Sequence, residues 1–389
     1  MEPLNGIDLA QYKSQAKELL RHLHASEQDS LERLKKRHPK KYSSGNPRSL
    51  KLTDAQLVVA RENGFASWPK FSDYLLFRNA VKALDSGDIH TLSSLLNQRP
   101  CLIKYRCRIG EWYEQGYFAG ATLLNHIAGN PIRCPIPPNV LEIARLLLSK
   151  GARDEQPNPR FTIGLLLTSR QASEAKVAMP LIDLIVEASS LVPDLTRSDI
   201  LDLPLLNDAP DTAEELLRRG ARMDIRHAVA LGRFDLVKRI AHREKSIEEN
   251  QALIPLPEDE IASKSLLEAA FAWACRGGRT EIAEYLLELG VDPNSEANTG
   301  QPGLHSAAGA GRLNTVLMLL KRKTPLEIKN QYGGTALGQA VWSAINEPHP
   351  ESLSVIEALL TAGSDPAAVR FPTGNELIDE ILERRVAKE

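Results

Sequence analysis

Aromatic side chains are scarce in this sequence of 389 residues, at 5% of the total. No run of 18 apolar residues occurs, so no membrane-spanning helix is expected. The first residues, MEPLNGIDLAQYK, lack a basic segment followed by an apolar one, which predicts no secretory signal. The four cysteines include no CxxC pair. We therefore expect reduced thiols in a cytoplasmic protein that has no metal and no cofactor.

Enzyme signatures are absent as well. The sequence has no GxSxG, GxxxxGK[ST] or HExxH, and no GxGxxG after a predicted strand. Net charge is −2 but uneven, because residues 1–78 hold 14 basic and 9 acidic side chains and the remainder holds 34 and 41. A mildly basic head thus precedes an acidic body, and no charge or motif points to catalysis.

What the sequence does contain is a repeated pair of apolar helices around a glycine turn. GLHSAAGAGRLNTVLMLL begins at Gly303, and SLLEAAFAWACRGGRTEIAEYLLELGVDPN begins at Ser265. Glycines that follow second helices recur at intervals of 69, 70 and 73 residues, namely Gly151, Gly220, Gly290 and Gly363. Each should take the left-handed conformation that ends a helix. Since one such pair cannot bury its apolar faces alone, the pattern predicts stacked units with a continuous core.

These segments resemble the ankyrin-repeat family. GLHSAAGAGRLNTVLMLL is similar to its T-P-L-H-x-A-A…G-H/R…V-x-x-L-L pattern, with His305 at the family's histidine, and LLELGVDPN is similar to its LLxxGADPN. The likeness is strong over about residues 260–368 and traceable from about 76 to 250. TPLH is nowhere intact, and other residues replace its histidine at Asn125, Glu268 and Gly338. The resemblance implies an all-α solenoid of degenerate units that binds another protein, and a structural role in the turn for His305.

About eight units are predicted, and the fourth should have a first helix of only a turn or two. They start near residues 77, 122, 162, 203, 225, 265, 301 and 334. We expect three domains: an N-terminal helical cap at 1–75, the solenoid at 76–372 and a capping helix at 373–389. The capping helix should bury one apolar face formed by Leu377, Ile378, Ile381 and Leu382.

The N-terminal cap is predicted to be helical throughout. Thr53 and Gln56 have capping-box spacing, Gly64 should end that helix, and Ser67 should begin the next. The phrase DAQLVVARENGFASWPKF is similar to a helical leader found before ankyrin repeats in bacterial proteins. That resemblance implies a bacterial, cytoplasmic source and supplies no activity.

The most unusual stretch is RCRIGEWYEQGYFAG, residues 106–120, which gathers aromatic side chains where a short connection is expected. Since the turns of the family project as fingers beside a groove, we predict a partner-binding finger here, helped by the irregular third unit. The predicted binding residues are Arg106, Arg108, Glu111, Trp112, Tyr113, Tyr117, Phe118, Arg160 and Arg170. In the alternative, the aromatic side chains fold back and seal the first units.

Two features of the sequence suggest functions other than protein binding. RLKKRHPKK, residues 33–41, has six basic side chains and could contact phosphates, but it lacks interleaved aromatic residues and the body is acidic. We therefore predict no nucleic-acid binding and no membrane binding. The second function is that of an enzyme or small-molecule binder, with a pocket under the 106–118 insertion and the irregular units at 122–180. We favour a scaffold or adaptor for another protein without catalytic residues.

Overall fold

The computed structural model describes residues 9–43, 46–107, 120–129, 135–152, 161–189, 194–195, 198–242, 264–295 and 300–386. Contacts divide the chain into two compact units, Met1–Pro193 and Asp194–Glu389. The described ranges are built from helices and turns and contain no β-strand, which confirms the all-α prediction. None of their helices is both long and apolar enough to cross a membrane. The predicted boundaries at 75/76 and 372/373 stay a prediction.

Each unit is a series of short helices joined by tight turns. Those of the first unit are α1 (Leu9–His24), α2 (Gln28–Arg37), α3 (Pro39–Tyr42), α4 (Leu52–Glu62), α5 (Trp68–Asp85), α6 (Ile89–Gln98), α7 (Leu123–His126), α8 (Val140–Ser149), α9 (Phe161–Thr168), α10 (Arg170–Glu174) and α11 (Ala178–Ala188). Those of the second are α12 (Asp202–Leu206), α13 (Pro210–Arg218), α14 (Ile225–Ala230), α15 (Phe234–Ala241), α16 (Lys264–Gly277), α17 (Thr280–Glu288), α18 (Gly303–Gly309), α19 (Leu313–Lys321), α20 (Ala336–Asn346), α21 (Ser352–Thr361) and α22 (Glu376–Val386).

The helices pair as the sequence predicts, with three pairs in the first unit and five in the second. In the second unit, the first helices α12, α14, α16, α18 and α20 pack on one another in chain order. The second helices α17, α19 and α21 do the same. In the first unit, α5, α7 and α9 form one layer and α6, α8 and α11 the other. The fourth pair has the short first helix predicted for it, since α12 has only five residues.

Glycine in the left-handed conformation ends the second helices at the four predicted positions. Their φ angles are 91°, 94°, 89° and 101° at Gly151, Gly220, Gly290 and Gly363. At Gly290 the next residue, Val291, donates its backbone N–H to the carbonyl of Leu286, which closes the helix end. Leu286 itself is fully buried. The sequence prediction of stacked pairs with glycine stops is therefore confirmed.

The head of the first unit packs α1, α2, α4 and α5 around aromatic side chains. Tyr12 meets Phe71 edge-on with ring centroids 4.8 Å apart. Gly64 ends α4 and Ser67 begins α5, as predicted. The predicted capping box was wrong, because α4 begins before Thr53: its reciprocal bond runs from the Lys51 N–H to Asp54 Oδ2 at 2.8 Å. Asp54, at the third helical position, satisfies the N-cap N–H of Lys51, in the way that Gln56 was expected to satisfy that of Thr53.

Helix α22 packs on α21 and covers the end of the second unit. Ile378, Ile381 and Leu382 are buried, but Leu377 is 58% exposed, so its predicted burial was wrong. The three buried residues have i, i+3, i+4 spacing and share one helix face, whereas Leu377 lies at the edge of that face, about 100° from Ile378 and about 40° from Ile381.

Candidate functional site

The first helices of the second unit line a groove with a cavity of about 570 Å³. Side chains from α12, α16, α18 and α20 form its floor, and the turns after α12, α14, α16, α18 and α20 form one edge. Small residues shape that floor. A Cβ on Gly303 would lie 2.5 Å from the ring of Phe271, so the glycine lets α16 and α18 approach closely. Close packing of first helices leaves their outward faces as a continuous surface.

Two tryptophans provide the apolar surface of the groove. Trp273 on α16 is 7% exposed and contacts the edge of the His227 ring, with centroids 5.9 Å apart. Trp342 on α20 is 53% exposed. Leu206, at the other end of the groove, is 37% exposed. Trp342 thus gives the groove an exposed aromatic side chain in a sequence that is poor in aromatic residues.

Three arginines, Arg276, Arg279 and Arg312, line the groove edge, and each donates to a carbonyl group of an earlier unit, as Arg276 Nη2 does to the Leu206 carbonyl at 2.9 Å. Arg279 follows the turn glycine Gly278 and donates from Nη2 to the Ala230 carbonyl at 2.9 Å. Arg312 follows Gly311 and donates from Nε to the Arg276 carbonyl at 3.0 Å. The acceptors at Ala230 and Arg276 each lie two residues before the turn glycine of their own unit. The next unit continues the pattern with Ser343.

This set of bonds is called the turn ladder: Arg279 to Ala230 O, Arg312 to Arg276 O, and the Ser343 hydroxyl to Gly309 O at 2.5 Å. Each bond satisfies a helix-end carbonyl that would otherwise lack a partner within its helix. The turn ladder therefore fixes the arginine side chains and joins successive units at one edge of the groove.

Charge in the groove differs from charge in the unit as a whole. Residues 194–389 hold 22 Lys and Arg against 31 Asp and Glu, so the unit is acidic. The groove lining holds Arg276, Arg279 and Arg312 against Asp208 and Glu347. Arg312 is 4.0 Å from Asp208, and within the described part of the chain neither Arg276 nor Arg279 forms an ion pair. The groove thus presents positive charge on an acidic body.

A buried polar network supports the floor beneath Trp273. His227 is fully buried; its Nδ1 accepts the Asp224 backbone N–H at 3.0 Å, and its Nε2 is 2.7 Å from Asp202 Oδ1. The ring is therefore the neutral tautomer that donates to Asp202. Burial opposes ionisation of Asp202, but the hydrogen bond from His227 and the charge of Arg226 lower its pKa. This network ties the short helix α12 to α14.

The histidine of the best repeat has the structural position that the resemblance implies. His305 Nε2 lies 3.1 Å from the carbonyl of Gly334, in the turn before the next unit. The side chain is 1% exposed although it contacts the groove wall. His305 thus links α18 to the following turn.

Most of the predicted finger lies outside the described residues. The predicted binding residues outside the described ranges are Arg108, Glu111, Trp112, Tyr113, Tyr117, Phe118 and Arg160. Arg106 is half-buried, and Arg170 is exposed on α10, where its Nε lies 2.8 Å from Glu174 Oε1. The finger residues therefore stay predictions, and nothing in the described geometry brings Arg106 and Arg170 together.

Sequence reasoning missed the groove of the second unit, although a signal for it was present. The turns LGR, GGR and AGR place an arginine after a turn glycine in three consecutive units. The first of these, Arg233, pairs with Glu214 at 2.6 Å, whereas Arg279 and Arg312 donate to backbone carbonyls. A repeated cation at one register marks a repeated surface, and it could have been recognised from the repeats alone.

Comparisons with known proteins place the repeats in the second unit. A family model described as ankyrin repeats (3 copies) matches residues 225–329 and 271–369. The ANK repeat-containing protein nipk-1 of Caenorhabditis elegans is 34% identical over 112 residues, which is 27% of this chain and 18% of that protein. This chain therefore spans less than a fifth of that relative.

The crystal structure of the human ASB11 ankyrin repeat domain is 19% identical, with a TM-score of 0.31 over 56% of this chain and 96% of that domain. The family match follows helix pairs α14–α15 to α20–α21 without a break. Residues 225–369 of this chain are therefore ankyrin repeats.

Proposed function

We propose that this protein is a scaffold or adaptor that binds another protein through the groove of its second unit. The observation that carries the proposal is Trp342, a half-exposed tryptophan that lines a groove otherwise built from tightly packed first helices. Tryptophan and arginine are the residues that most often dominate the energy of protein interfaces. Ankyrin repeats commonly serve as interaction scaffolds, and the geometry of the groove supports that use here.

The chain offers a matched control for this proposal. Phe371 is also 53% exposed, and it does not line the groove. The experiment is affinity capture from lysate of the source organism with wild-type protein, Trp342→Ala and Phe371→Ala, quantified by mass spectrometry. We expect a partner that wild type and Phe371→Ala retain and that Trp342→Ala loses by about tenfold or more. Retention by all three at equal yield would refute the groove.

The predicted finger remains a second part of the proposal. Its support is compositional, because four of the few aromatic side chains occur in WYEQGYF. Replacing Trp112 and Tyr113 together with alanine should weaken partner binding by about 2 kcal/mol or more while the helical circular dichroism stays unchanged. A lower melting temperature with normal binding by the folded fraction would instead show that these aromatic residues seal the first units.

We propose a cytoplasmic location and a bacterial source on the strength of two features. Cys101 and Cys275 are thiols and not disulfides, which suits a reducing compartment. The leader DAQLVVARENGFASWPKF supports the source. An enzyme or small-molecule binder remains the alternative function. A thermal-shift screen of metabolites against the whole chain tests it, and a stabilising metabolite would favour a pocket.

A further inference from the structure

We propose that the groove binds an extended acidic peptide segment whose carboxylates lie three residues apart. This inference rests on the proposed scaffold function and names the chemistry of the partner. It starts from Arg279 and Arg312, which occupy equivalent positions in consecutive units and are fixed by the turn ladder. Each guanidinium group donates a hydrogen bond to a backbone carbonyl, and this bond leaves the positive charge of the arginine unneutralised.

Within the described residues, Arg279 and Arg312 lack the close carboxylate partners that other arginines of the unit have. Arg226 pairs with Asp224 at 2.7 Å, and Arg233 pairs with Glu214 at 2.6 Å. In the described residues, Arg279 has no carboxylate within 4.0 Å, and Arg312 has only the solvent-exposed Asp208 at 4.0 Å. A guanidinium that is held in place by a carbonyl and has no carboxylate within hydrogen-bond distance in the described residues is preorganised for a carboxylate from outside.

The spacing of units sets the spacing of the partner's charges. Packed helices lie about 8–10 Å apart, so equivalent side chains of consecutive units repeat at that distance. An extended segment in the polyproline II conformation has three residues per turn and rises about 3.1 Å per residue, so side chains three residues apart lie on one face and are separated by about 9 Å. Carboxylates at i and i+3 therefore match Arg279 and Arg312. A third at i+6 would reach His349, which packs on Gly311 in the next turn.

Trp342 supplies the second half of the recognition. It lies on α20, in the unit of His349, and lines the same groove as both arginines. An apolar side chain between the acidic positions of the peptide would cover it. A nucleic acid is the alternative polyanionic ligand. The second unit has nine more acidic than basic side chains, and its negative long-range field opposes binding of a strand that carries a phosphate charge on every nucleotide.

The test uses three synthetic peptides of about ten residues that differ only at every third position, where they carry Glu, Gln or Lys. Leucine and serine fill the other positions, and fluorescence anisotropy with the full chain reports binding. We expect the Glu peptide to bind and the Gln and Lys peptides to bind at least about tenfold more weakly, with affinity falling as salt rises. No binding of the Glu peptide up to about 1 mM would overturn the inference, as would tighter binding of an oligothymidine of equal length.

Two double variants separate the groove from general charge. Arg279→Gln with Arg312→Gln should weaken the Glu peptide by about tenfold. Lys321→Gln with Arg322→Gln removes the same charge at the end of α19 and should leave binding unchanged. Equal losses would overturn the inference. If the first variant is poorly folded, Arg279→Glu with Arg312→Glu should acquire binding to the Lys peptide, a gain that unfolding cannot produce.

These outcomes also distinguish failure of this inference from failure of the scaffold proposal. If Trp342→Ala loses a native partner that Arg279→Gln with Arg312→Gln retains, the scaffold proposal holds and the proposal of an acidic peptide segment is refuted. If Trp342→Ala retains the native partner as well, both proposals are refuted.

Discussion

Glycine occurs at two kinds of helix end in the second unit, and alanine should affect them differently. Gly290 ends a second helix with φ of +89°, and a Cβ there would meet no atom within 4 Å. Gly278 ends a first helix with φ of +66°, and its Cβ would lie 3.0 Å from Cδ of Arg312. Gly290→Ala therefore introduces backbone strain alone, whereas Gly278→Ala also displaces a member of the turn ladder.

The two costs can be worked out separately. A left-handed conformation costs an L-residue about 1–2 kcal/mol, which applies to both variants. Displacing Arg312 threatens its bond to the Arg276 carbonyl, which contributes about 0.5–1.5 kcal/mol. We therefore expect Gly290→Ala to lower the free energy of unfolding by about 1–2 kcal/mol and Gly278→Ala by roughly 1 kcal/mol more.

Urea titration followed by circular dichroism measures both variants under one set of conditions. Lys323 provides the reverse experiment, because it ends α19 with φ of 58° at the position that glycine occupies after α17. Lys323→Gly should raise the free energy of unfolding by about 1 kcal/mol. Equal losses for Gly278→Ala and Gly290→Ala, or destabilisation by Lys323→Gly, would refute the reasoning about these turns.

Three further predictions follow from packing and charge. Leu286→Ala should lower the free energy of unfolding by about 2–5 kcal/mol, because the Leu286 side chain is fully buried. Leu289→Ala should lower it by under about 1 kcal/mol, because Leu289 is 39% exposed. A urea melt in which both variants lose the same free energy would contradict the stacking. Asp202→Asn should destabilise at neutral pH. Because folding lowers the Asp202 pKa, its contribution is present above 3.8 and is lost as pH falls through the folded value, so the deficit should shrink in acid melts; a constant deficit refutes the assignment. Residues 33–41 should give no retention on a DNA column at physiological ionic strength, since Arg33 is bonded to Glu62; salt-sensitive retention would refute this.

The sequence predicted the helix pairs because their cause is local. Apolar spacing and a glycine stop are properties of about 35 residues, and they recur in each unit. Glycines mark every second unit, and in the seventh unit Lys323 ends the second helix in the same left-handed conformation without being glycine. Because lysine can adopt this conformation at a modest cost in strain, the end of this helix cannot be recognised from a glycine in the sequence.

The errors have tertiary causes. Helix α4 begins before Thr53 because the chain is already held at Leu50, whose carbonyl lies 3.0 Å from His24 Nε2 of α1. That contact joins residues 26 apart and is invisible to capping rules. Leu377 was assigned to a buried face, although only the neighbouring helix decides which part of an apolar stripe is covered.

The candidate groove was missed for a similar reason. Arg279 and Arg312 each have the appearance of ordinary turn residues, and their common register becomes a surface only when the units stack. Residues 106–120 contain a cluster of aromatic side chains that is conspicuous in the sequence, whereas Trp342 is the single aromatic residue of its helix. Its exposure could be known only after α20 was placed against α18.

The turn ladder has a direction: each donor belongs to the later unit and each acceptor to the earlier one. Shortening the series from its C-terminal end would strip a donor and leave a bare carbonyl, while shortening it from the other end would leave an arginine that water can solvate. Copying a whole unit would add one donor and one acceptor together. Growth by duplication therefore keeps the donors and acceptors of the turn ladder equal in number, whatever the number of units.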